Sequence, residues 1–292
     1  MSILISGASG FIGRNLCASL FENNIDFITL NLRSEEYRKE SGSSIHLSIS
    51  SSYDEILRTL SKCAPEKFLH LASVWRQSEI SGPNGDIFDL NIRFAHNLAK
   101  VCAVLQIPFI NFGTYWQLNQ VRLPTNTNLY TLSKKFFDEI IDYYIANFSL
   151  QASTLYLYDN FGEGDNRGKV ISRMIESGFS NNRIQLHSAA NEINLLHVDD
   201  VVSGILAFLR NNRNPRFVEI SNSVNFTFGA IVRTLNTLLE NDLDVSWNLD
   251  LPSKIDSHSH VPIYPRPLHW SPVIEVDKGL MRVIDFEKKK RL

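Results

Sequence analysis

One stretch near the start, "SILISGASGFIGRNLCASLFENN", constrains the fold more than any other. Residues 2–6 form a short apolar run ending at glycine, the pattern of a buried strand. From residue 11 onward, Phe11, Ile12, Leu16, Leu20 and Phe21 fall on one face of a helix, which Asn23 and Asn24 close. Gly7, Gly10 and Gly13 occupy the turn between them. Strand, tight glycine turn and helix N-terminus in that order make a cradle for the pyrophosphate of a dinucleotide. Gly7 permits the turn, Gly10 lets backbone approach the phosphates, and Gly13 lets the helix pack close to the sheet. Amides at the helix start then face the phosphates. The expected contacts are Gly7, Ser9, Gly10, Phe11, Ile12 and Gly13. The plainer alternative is a turn whose glycines serve packing alone.

The same rhythm continues downstream. "DFITLNL" (26–32), "SIHLSI" (44–49), "KFLHLAS" (67–73), "PFINFG" (108–113) and "QASTLYLYDNFG" (151–162) read as strands. "SYDEILRTLSKC", "DIFDLNIRFAHNLAKVCAVLQ" and "YTLSKKFFDEIIDYYIANF" read as helices between them. This alternation predicts an α/β chain with a Rossmann-type doubly wound parallel sheet over residues 1–162. Beyond residue 162 the rhythm loosens. "INLLHVDDVVSGILAFLRNN" is a strand entering a helix, and "FVEISNSVNFTFGAIVRTLNTLLEN" repeats that pattern. A smaller C-terminal substrate lobe is expected over 163–292, with some elements returning to the first domain. The proline-bearing segment 250–272 is expected to be irregular.

Composition excludes several classes. The chain has 292 residues, 43% hydrophobic and 21% charged, as in soluble globular proteins. A net charge of −2 provides no long-range field to recruit nucleic acid or an anionic membrane. No apolar run reaches the roughly 18 residues of a membrane span, and the start lacks the features of a signal peptide. A cytoplasmic protein is therefore expected, in which the glycosylation patterns at Asn147 and Asn225 go unused. Cys17, Cys63 and Cys102 lie far apart with no CxxC pair, which argues against a disulfide framework or thiolate zinc. His258 and His260, with only Asp256 nearby, make a weak ligand set, so no metal is expected. The closing "EKKKRL" reads as a solvated tail.

"YTLSK" sets Tyr130 and Lys134 four apart, on one helix face. A neighbouring ammonium favours the phenolate of a tyrosine whose free pKa is about 10. A phenol tuned this way can pass a proton to a carbonyl oxygen while hydride arrives at carbon. Alone, the motif reads by default as an ordinary surface pair, and its place after the fifth strand favours the catalytic reading. At that strand's exit, "NFGTYWQ" supplies Thr114, a hydroxyl to hold the carbonyl or a turn threonine bonding its own backbone. The second strand ends at Asn31, followed by Leu32 and Arg33, with Arg38 close by. An acid there would bind the ribose of NAD, whereas a guanidinium suits a 2′-phosphate, which favours NADPH over NADH. Asp199 and Asp200 read as acids capping a helix start, and His70 as a buried or cofactor-adjacent histidine.

These residues resemble the short-chain dehydrogenase/reductase superfamily in its extended, nucleotide-sugar-modifying branch, the NAD-dependent epimerase/dehydratase family. The resemblance rests on GASGFIG, HLAS (70–73), Asn91 in "LNIRFAHNLAK", Thr114, YTLSK, "FGEGDNR" (161–167) and "HVDDVV" (197–202). It implies that Leu71, Ala72, Ser73 and Asn91 join the cofactor site. It also implies that Thr114, Tyr130 and Lys134 are the catalytic set, the latter two also touching cofactor, and that a nucleotide sugar binds between the lobes. Three stretches, "YTLSKKFFDEIIDYY", "GEGDNRGKVISRMI" and "LHWSPVIEVDKGLMRVIDF", look like the CDP-abequose and CDP-paratose synthases. Those enzymes reduce the 4-keto group of a CDP-linked 3,6-dideoxyhexose with NADPH, which implies a role in deoxysugar biosynthesis for surface polysaccharide such as O-antigen. Two-helix dimers are common in the family, so a homodimer is a further expectation.

The chain also departs from that pattern. Tyr115 and Trp116 follow Thr114 where the dehydratases of the branch carry Asp-Glu, so elimination of water is not expected. With Trp75, these aromatics are expected at the sugar pocket or in the core, and Asn160 beside the substrate. Ile193 and Asn194 stand where many members carry an arginine, which leaves Arg173 or Arg266 to meet the diphosphate. Tyr156 stands where the sixth strand often has arginine. Two other readings remain open: a 4-epimerase that retains NAD, and a non-catalytic dinucleotide sensor.

Overall fold

The computed structural model describes residues 2–32, 43–75, 85–119, 128–211, 213–248 and 263–292. Arg33, Arg38, Asp256, His258 and His260 lie outside these residues. The chain runs β1 (Ile3–Ser6), α1 (Phe11–Glu22), β2 (Phe27–Asn31), β3 (Ser43–His46), α2 (Tyr53–Cys63), β4 (Lys67–His70) and α3 (Gly85–Phe88). A π-helical turn, Asp89–Phe94, leads into α4 (Ala95–Leu105), β5 (Phe109–Thr114), α5 (Tyr115–Asn119), α6 (Leu129–Phe148) and β6 (Ala152–Leu157). Next come β7 (Asp159–Phe161), α7 (Val170–Ser180), β8 (Ile184–Leu186), β9 (Glu192–Ile193), β10 (Leu195–His197) and α8 (Val198–Arg210). The chain ends with β11 (Phe217–Ile220), β12 (Phe226–Thr227), α9 (Phe228–Leu239), β13 (Val245–Trp247) and α10 (Val276–Arg291).

Seven strands form one sheet in the order β11-β6-β5-β4-β1-β2-β3. Within it β1 runs parallel to β2 and β4, β2 to β3, and β4 to β5. This is the expected Rossmann-type sheet. Its order reverses between β1 and β4, so the loops leaving those strands part and open a crevice at their carboxyl ends. The unbroken apolar run of β1 follows from burial on both faces. Leu4 enters a core built with Leu60, Phe94, Leu98, Phe137 and Ile141 from α2, α4, α6 and the π-helical turn. Ile3 and Ile5, equally buried, project to the opposite face.

Several boundaries differ from the sequence reading. The third and fourth strands stop at His46 and His70, short of residues 49 and 73, and Thr114 is the last residue of β5. The long helix expected over 86–106 contains the π-helical turn, which periodicity alone does not reveal. The sixth strand divides: β6 stays in the main sheet, while β7 pairs in parallel with β10.

The chain divides into two compact units, Met1–Tyr156 with Arg213–Val218, and Leu157–Asn212 with Glu219–Leu292. The second unit carries the ribbons β10-β7, β12-β9 and β13-β8. Its core includes Phe161, Met174, Leu195, Leu235 and Leu280. The basic ending is the last turn of α10 and not a loose tail, since Arg291 pairs with Glu176 and its guanidinium lies over Phe179. Asp200 is also not a cap. Its carboxylate is buried and accepts the amides of Val273 and Ile274 at 3.0 and 2.9 Å, while the His197 side chain caps α8. Among the described residues no helix is long and apolar enough to cross a membrane.

Candidate active site

The glycine loop leaves β1 at the point where the sheet order reverses. Gly7 has φ +77°, and a Cβ there would lie 2.6 Å from the Ala72 nitrogen. A Cβ on Gly13 would lie 2.1 Å from the Gly7 carbonyl oxygen. Both positions are therefore closed to any side chain. Gly10 differs, because a Cβ there meets only the Gly7 oxygen, at 3.2 Å. Gly10 is the N-cap of α1, with no side-chain cap, and both it and Ser9 are exposed. Bare backbone beside first-turn amides suits a diphosphate. Ile12 is half-buried, and the Phe11 side chain is buried.

A second strand exit is stitched to this loop. Leu71 N–H donates to the Ser6 carbonyl at 3.1 Å, and Ala72 N–H to the Ser6 hydroxyl at 3.4 Å. That hydroxyl also pairs with His70 Nδ1 at 2.8 Å. Burial, helped by the Lys134 charge, holds the His70 imidazole neutral by pushing its pKa down to about 3. His70 is thus a structural link and no base at neutral pH. At the end of β2, Asn31 is buried, and its Nδ2 has no hydrogen-bond partner among the described residues. An orphaned buried donor of this kind costs about 1–3 kcal/mol. The acceptor-rich adenosine ribose of a dinucleotide would relieve it, so the residues present fit such a cofactor.

Asn91 sits in the π-helical turn, a feature often found at functional sites. Its Oδ1 accepts from Val74 N–H at 2.8 Å and from the Ser73 hydroxyl at 3.3 Å. Its Nδ2 donates to the Val74 carbonyl at 2.9 Å and to the Ser133 hydroxyl at 3.1 Å. An amide side chain has two donors and two acceptor sites, all used here. Asn91 thereby braces Ser73–Val74, a stretch of the expected cofactor site, against α6.

The Asn128 side chain caps α6, accepting Thr131 N–H at 2.8 Å. Tyr130 is half-buried in the first turn. Lys134 follows one turn later, only 4% exposed, and donates to the Phe112 carbonyl of β5 at 2.9 Å. Burial lowers its pKa to about 8, against the pull of Asp138. Thr114, at the end of β5, is buried, and its hydroxyl accepts Trp116 N–H at 3.4 Å. The turn-threonine bond is therefore present, yet it uses a lone pair and leaves the O–H to donate. The Tyr115 and Trp116 rings lie 5.1 Å apart, both half-buried. Trp75 is 56% exposed, which excludes its core alternative.

Sequence reasoning missed Gln117, Asp138 and Arg216. Gln117 accepts Thr114 N–H at 2.9 Å and donates to Asp138 at 2.6 Å. One signal was visible, since Asp138 extends the four-residue spacing of Tyr130 and Lys134 by another step.

The remaining candidates belong to the second unit. Asn160 is buried, donating to the Tyr158 carbonyl at 2.9 Å and accepting from Arg167 at 2.8 Å. Arg167 is tied to Asp165 at 2.7 Å. Arg173 is exposed on α7 and lines a surface groove with Asp165 and Glu176. Arg266 donates to the Asn222 carbonyl at 2.7 Å and to the Ser221 hydroxyl at 3.3 Å.

Sheet order and glycine loop define a Rossmann-type α/β fold. The model of the NAD dependent epimerase/dehydratase family matches residues 3–221, and the chain belongs to that family. A CDP-abequose synthase of Yersinia pseudotuberculosis is 24% identical over 263 residues, spanning 84% of this chain and 87% of its own. Another from Salmonella typhimurium is 24% identical over 224 residues, spanning 74% of this chain and 73% of its own. The solved UDP-glucose 4-epimerase of Thermotoga maritima, bound to UDP-glucose, has a TM-score of 0.82 at 18% identity, with 100% of both chains covered. The UDP-glucuronic acid 4-epimerase of Bacillus cereus, bound to UDP-glucuronic acid and NAD, has a TM-score of 0.81 at 17% identity, covering 99% of this chain and 100% of its own.

Proposed function

We propose that this protein is an oxidoreductase that uses NADPH to reduce the 4-keto group of a nucleotide-linked deoxyhexose, with CDP as the carrier. The observation that carries the reading is Lys134, a buried ammonium anchored to β5 on the helix face it shares with Tyr130, while Thr114 closes the same strand. The CDP-abequose synthases that the chain resembles over most of its length supply the substrate class.

The loop Gly7–Gly13, Asn31 and Leu71–Ser73 would hold the dinucleotide, and Arg33 would meet its 2′-phosphate. When bound, the cofactor supplies hydride. Thr114 donates its O–H to the carbonyl oxygen and fixes the face presented. Tyr130 delivers the proton to that oxygen as its charge develops. The Lys134 ammonium lowers the cost of the phenolate left behind and holds the nicotinamide ribose. Trp75, Tyr115 and Trp116 offer flat apolar surface to the sugar. Asn160 would lie beside the substrate, and Arg173 and Arg266 are the candidates for its diphosphate. A cytoplasmic homodimer is the state this reading expects.

The test is NADPH oxidation on addition of CDP-, dTDP- and GDP-linked 4-keto-6-deoxyhexoses. Steady oxidation with the CDP sugar supports the proposal, and silence across all of them overturns it. Turnover with no net consumption of cofactor marks a 4-epimerase instead. Replacing Arg33 by Ser should raise the NADPH KM by about 10–100-fold, the loss of one charged hydrogen bond, and leave NADH use unchanged.

A further inference from the structure

We propose that Asp138 is a positioning residue: its buried carboxylate clamps Gln117, and Gln117 in turn fixes the main chain at Thr114. Asp138 stands one turn beyond Lys134 on α6 and is 6% exposed. Its Oδ2 accepts from Gln117 Nε2 at 2.6 Å and from the Tyr156 hydroxyl at 2.9 Å. Its Oδ1 accepts from the Thr154 hydroxyl at 2.6 Å and from Asn111 Nδ2 at 3.3 Å. Arg216 lies 3.5 Å from Oδ1 and also donates to the Thr154 hydroxyl, at 2.8 Å. Burying a carboxylate is costly, and only a saturated set of donors with a matching cation makes it tolerable. This set is saturated, so the carboxylate has little freedom, and neither does the amide hydrogen-bonded to it. Gln117 therefore presents its Oε1 to Thr114 N–H, 2.9 Å away, from a fixed place.

Gly113 shows how tightly the strand end is held. A Cβ on it would lie 2.6 Å from the Tyr156 ring and 2.9 Å from Gln117 Oε1. The backbone before Thr114 is thus confined by two side chains that both bond to Asp138. With tyrosine rather than arginine at position 156, the cation comes from another segment, and Arg216 provides it. A misplacement of about 1 Å can cost about 100-fold in rate, so a clamp on the Thr114 backbone governs where its hydroxyl meets a substrate.

The experiment compares Asp138→Asn and Gln117→Met in the full chain. Asparagine keeps the shape but offers one acceptor oxygen and turns an NH2 toward facing donors. Methionine removes the link between Asp138 and Thr114, taking one donor from the carboxylate and leaving its bonds to Tyr156, Thr154 and Asn111. Amide exchange read by NMR should be about tenfold faster at Thr114 in both variants, the loss of roughly one hydrogen bond. Phe109–Phe112 should keep their wild-type rates. In the kinetic arm, which rests on the proposed reductase activity, kcat should fall about 100-fold. Dinucleotide Kd should stay within about twofold, and the double variant should be no worse than the more damaged single one, because both act in one network. Wild-type exchange at Thr114 in either folded variant overturns the proposal. So does a rate loss matched by an equal loss of dinucleotide affinity and Tm, which would mark a merely structural role. Should Asp138→Asn fail to fold, Gln117→Met decides, because it leaves the carboxylate its other partners. The exchange arm stands even if the wild type reduces no nucleotide sugar.

Discussion

Two ionic clusters, one in each unit, hold their charges in opposite ways. In the first, Lys134 and Asp138 are almost fully enclosed, and each is held by partners from other elements. In the second, the comparable cluster joins His197 Nε2 to Glu163 at 2.9 Å, and Arg282 to Glu163 and Asp199 at 2.7 and 2.8 Å. There the guanidinium is 45% exposed and the Asp199 side chain 48%. An enclosed ion has no water to fall back on, so its geometry is fixed and its loss is expensive. A half-exposed ion exchanges a protein partner for solvent at little cost. The first arrangement suits chemistry that needs close placement, and the second suits joining α10 to the loops around it.

The largest effect that can break this contrast belongs to Tyr130. Substituting Phe removes the phenolic hydroxyl and keeps the ring. The expected loss is about 10²–10⁴-fold in kcat, with little change in dinucleotide Kd or Tm. Retention of near-full activity would remove Tyr130 from the chemistry and break the link between enclosure and catalysis.

Glycine substitutions sharpen it next. Gly13→Ala forces a Cβ to within 2.1 Å of a carbonyl oxygen. It should cost about 1–3 kcal/mol or more in urea unfolding, as overpacking does. Gly10→Ala has φ −71° and one close contact, the Gly7 oxygen at 3.2 Å, so its stability cost should be smaller than that of Gly13→Ala while dinucleotide affinity falls. Equal effects of the two on stability would mean that the open backbone at Gly10 is not reserved for a ligand.

The third effect is a pH limb. With its pKa lowered to about 8 by burial, the Lys134 ammonium is lost as pH rises through that value. The titratable groups that interact with it are Asp138 on its own helix and His70 on β4, the latter neutral, and Tyr130 stands one turn before it on α6. Activity that needs the ammonium should therefore fall above about pH 8. Lys134→Arg should lower the rate and also abolish that limb, because guanidinium does not titrate in this range. A limb that survives the substitution belongs to another group.

Legibility in the sequence followed the same divide. The glycine loop and the Tyr130–Lys134 face were readable because strand, turn and helix period lie within a few neighbouring residues. The parallel, doubly wound sheet was readable from the alternation of strand and helix, but its seven-strand order came only with the structure. The π-helical turn was invisible, since it adds hydrogen-bonding slack without disturbing the apolar pattern. Arg216 and Asp138 are 78 residues apart, so no local pattern joins them. The acids of α8 misled for a related reason. Asp199 and Asp200 sit where caps sit, but their partners, Arg282 and the amides of Val273 and Ile274, arrive from more than 70 residues away. Local chemistry fixed which residues were candidates, and distant partners decided their roles.

The smallest expected effect tests the second unit directly. Arg282→Met removes a guanidinium that binds Glu163 and Asp199 but keeps the apolar stem. Burial pushes the Glu163 pKa up, yet its backbone amide, Arg282 and His197 together bring it below the usual carboxylate range. After the substitution Glu163 still has its backbone bond, His197 and water. The cost should therefore stay below about 1 kcal/mol, seen as a small fall in urea midpoint with an unchanged slope. A depressed carboxyl pKa contributes stability above its unfolded value and loses it as pH falls through the folded one. The difference between wild type and variant should accordingly shrink below pH 4.5, the ordinary value for this group. A loss as large as that of Gly13→Ala, or one that persists in acid, would show that the exposed cluster depends on its partners as heavily as the enclosed one does, and the contrast between the two clusters would fail.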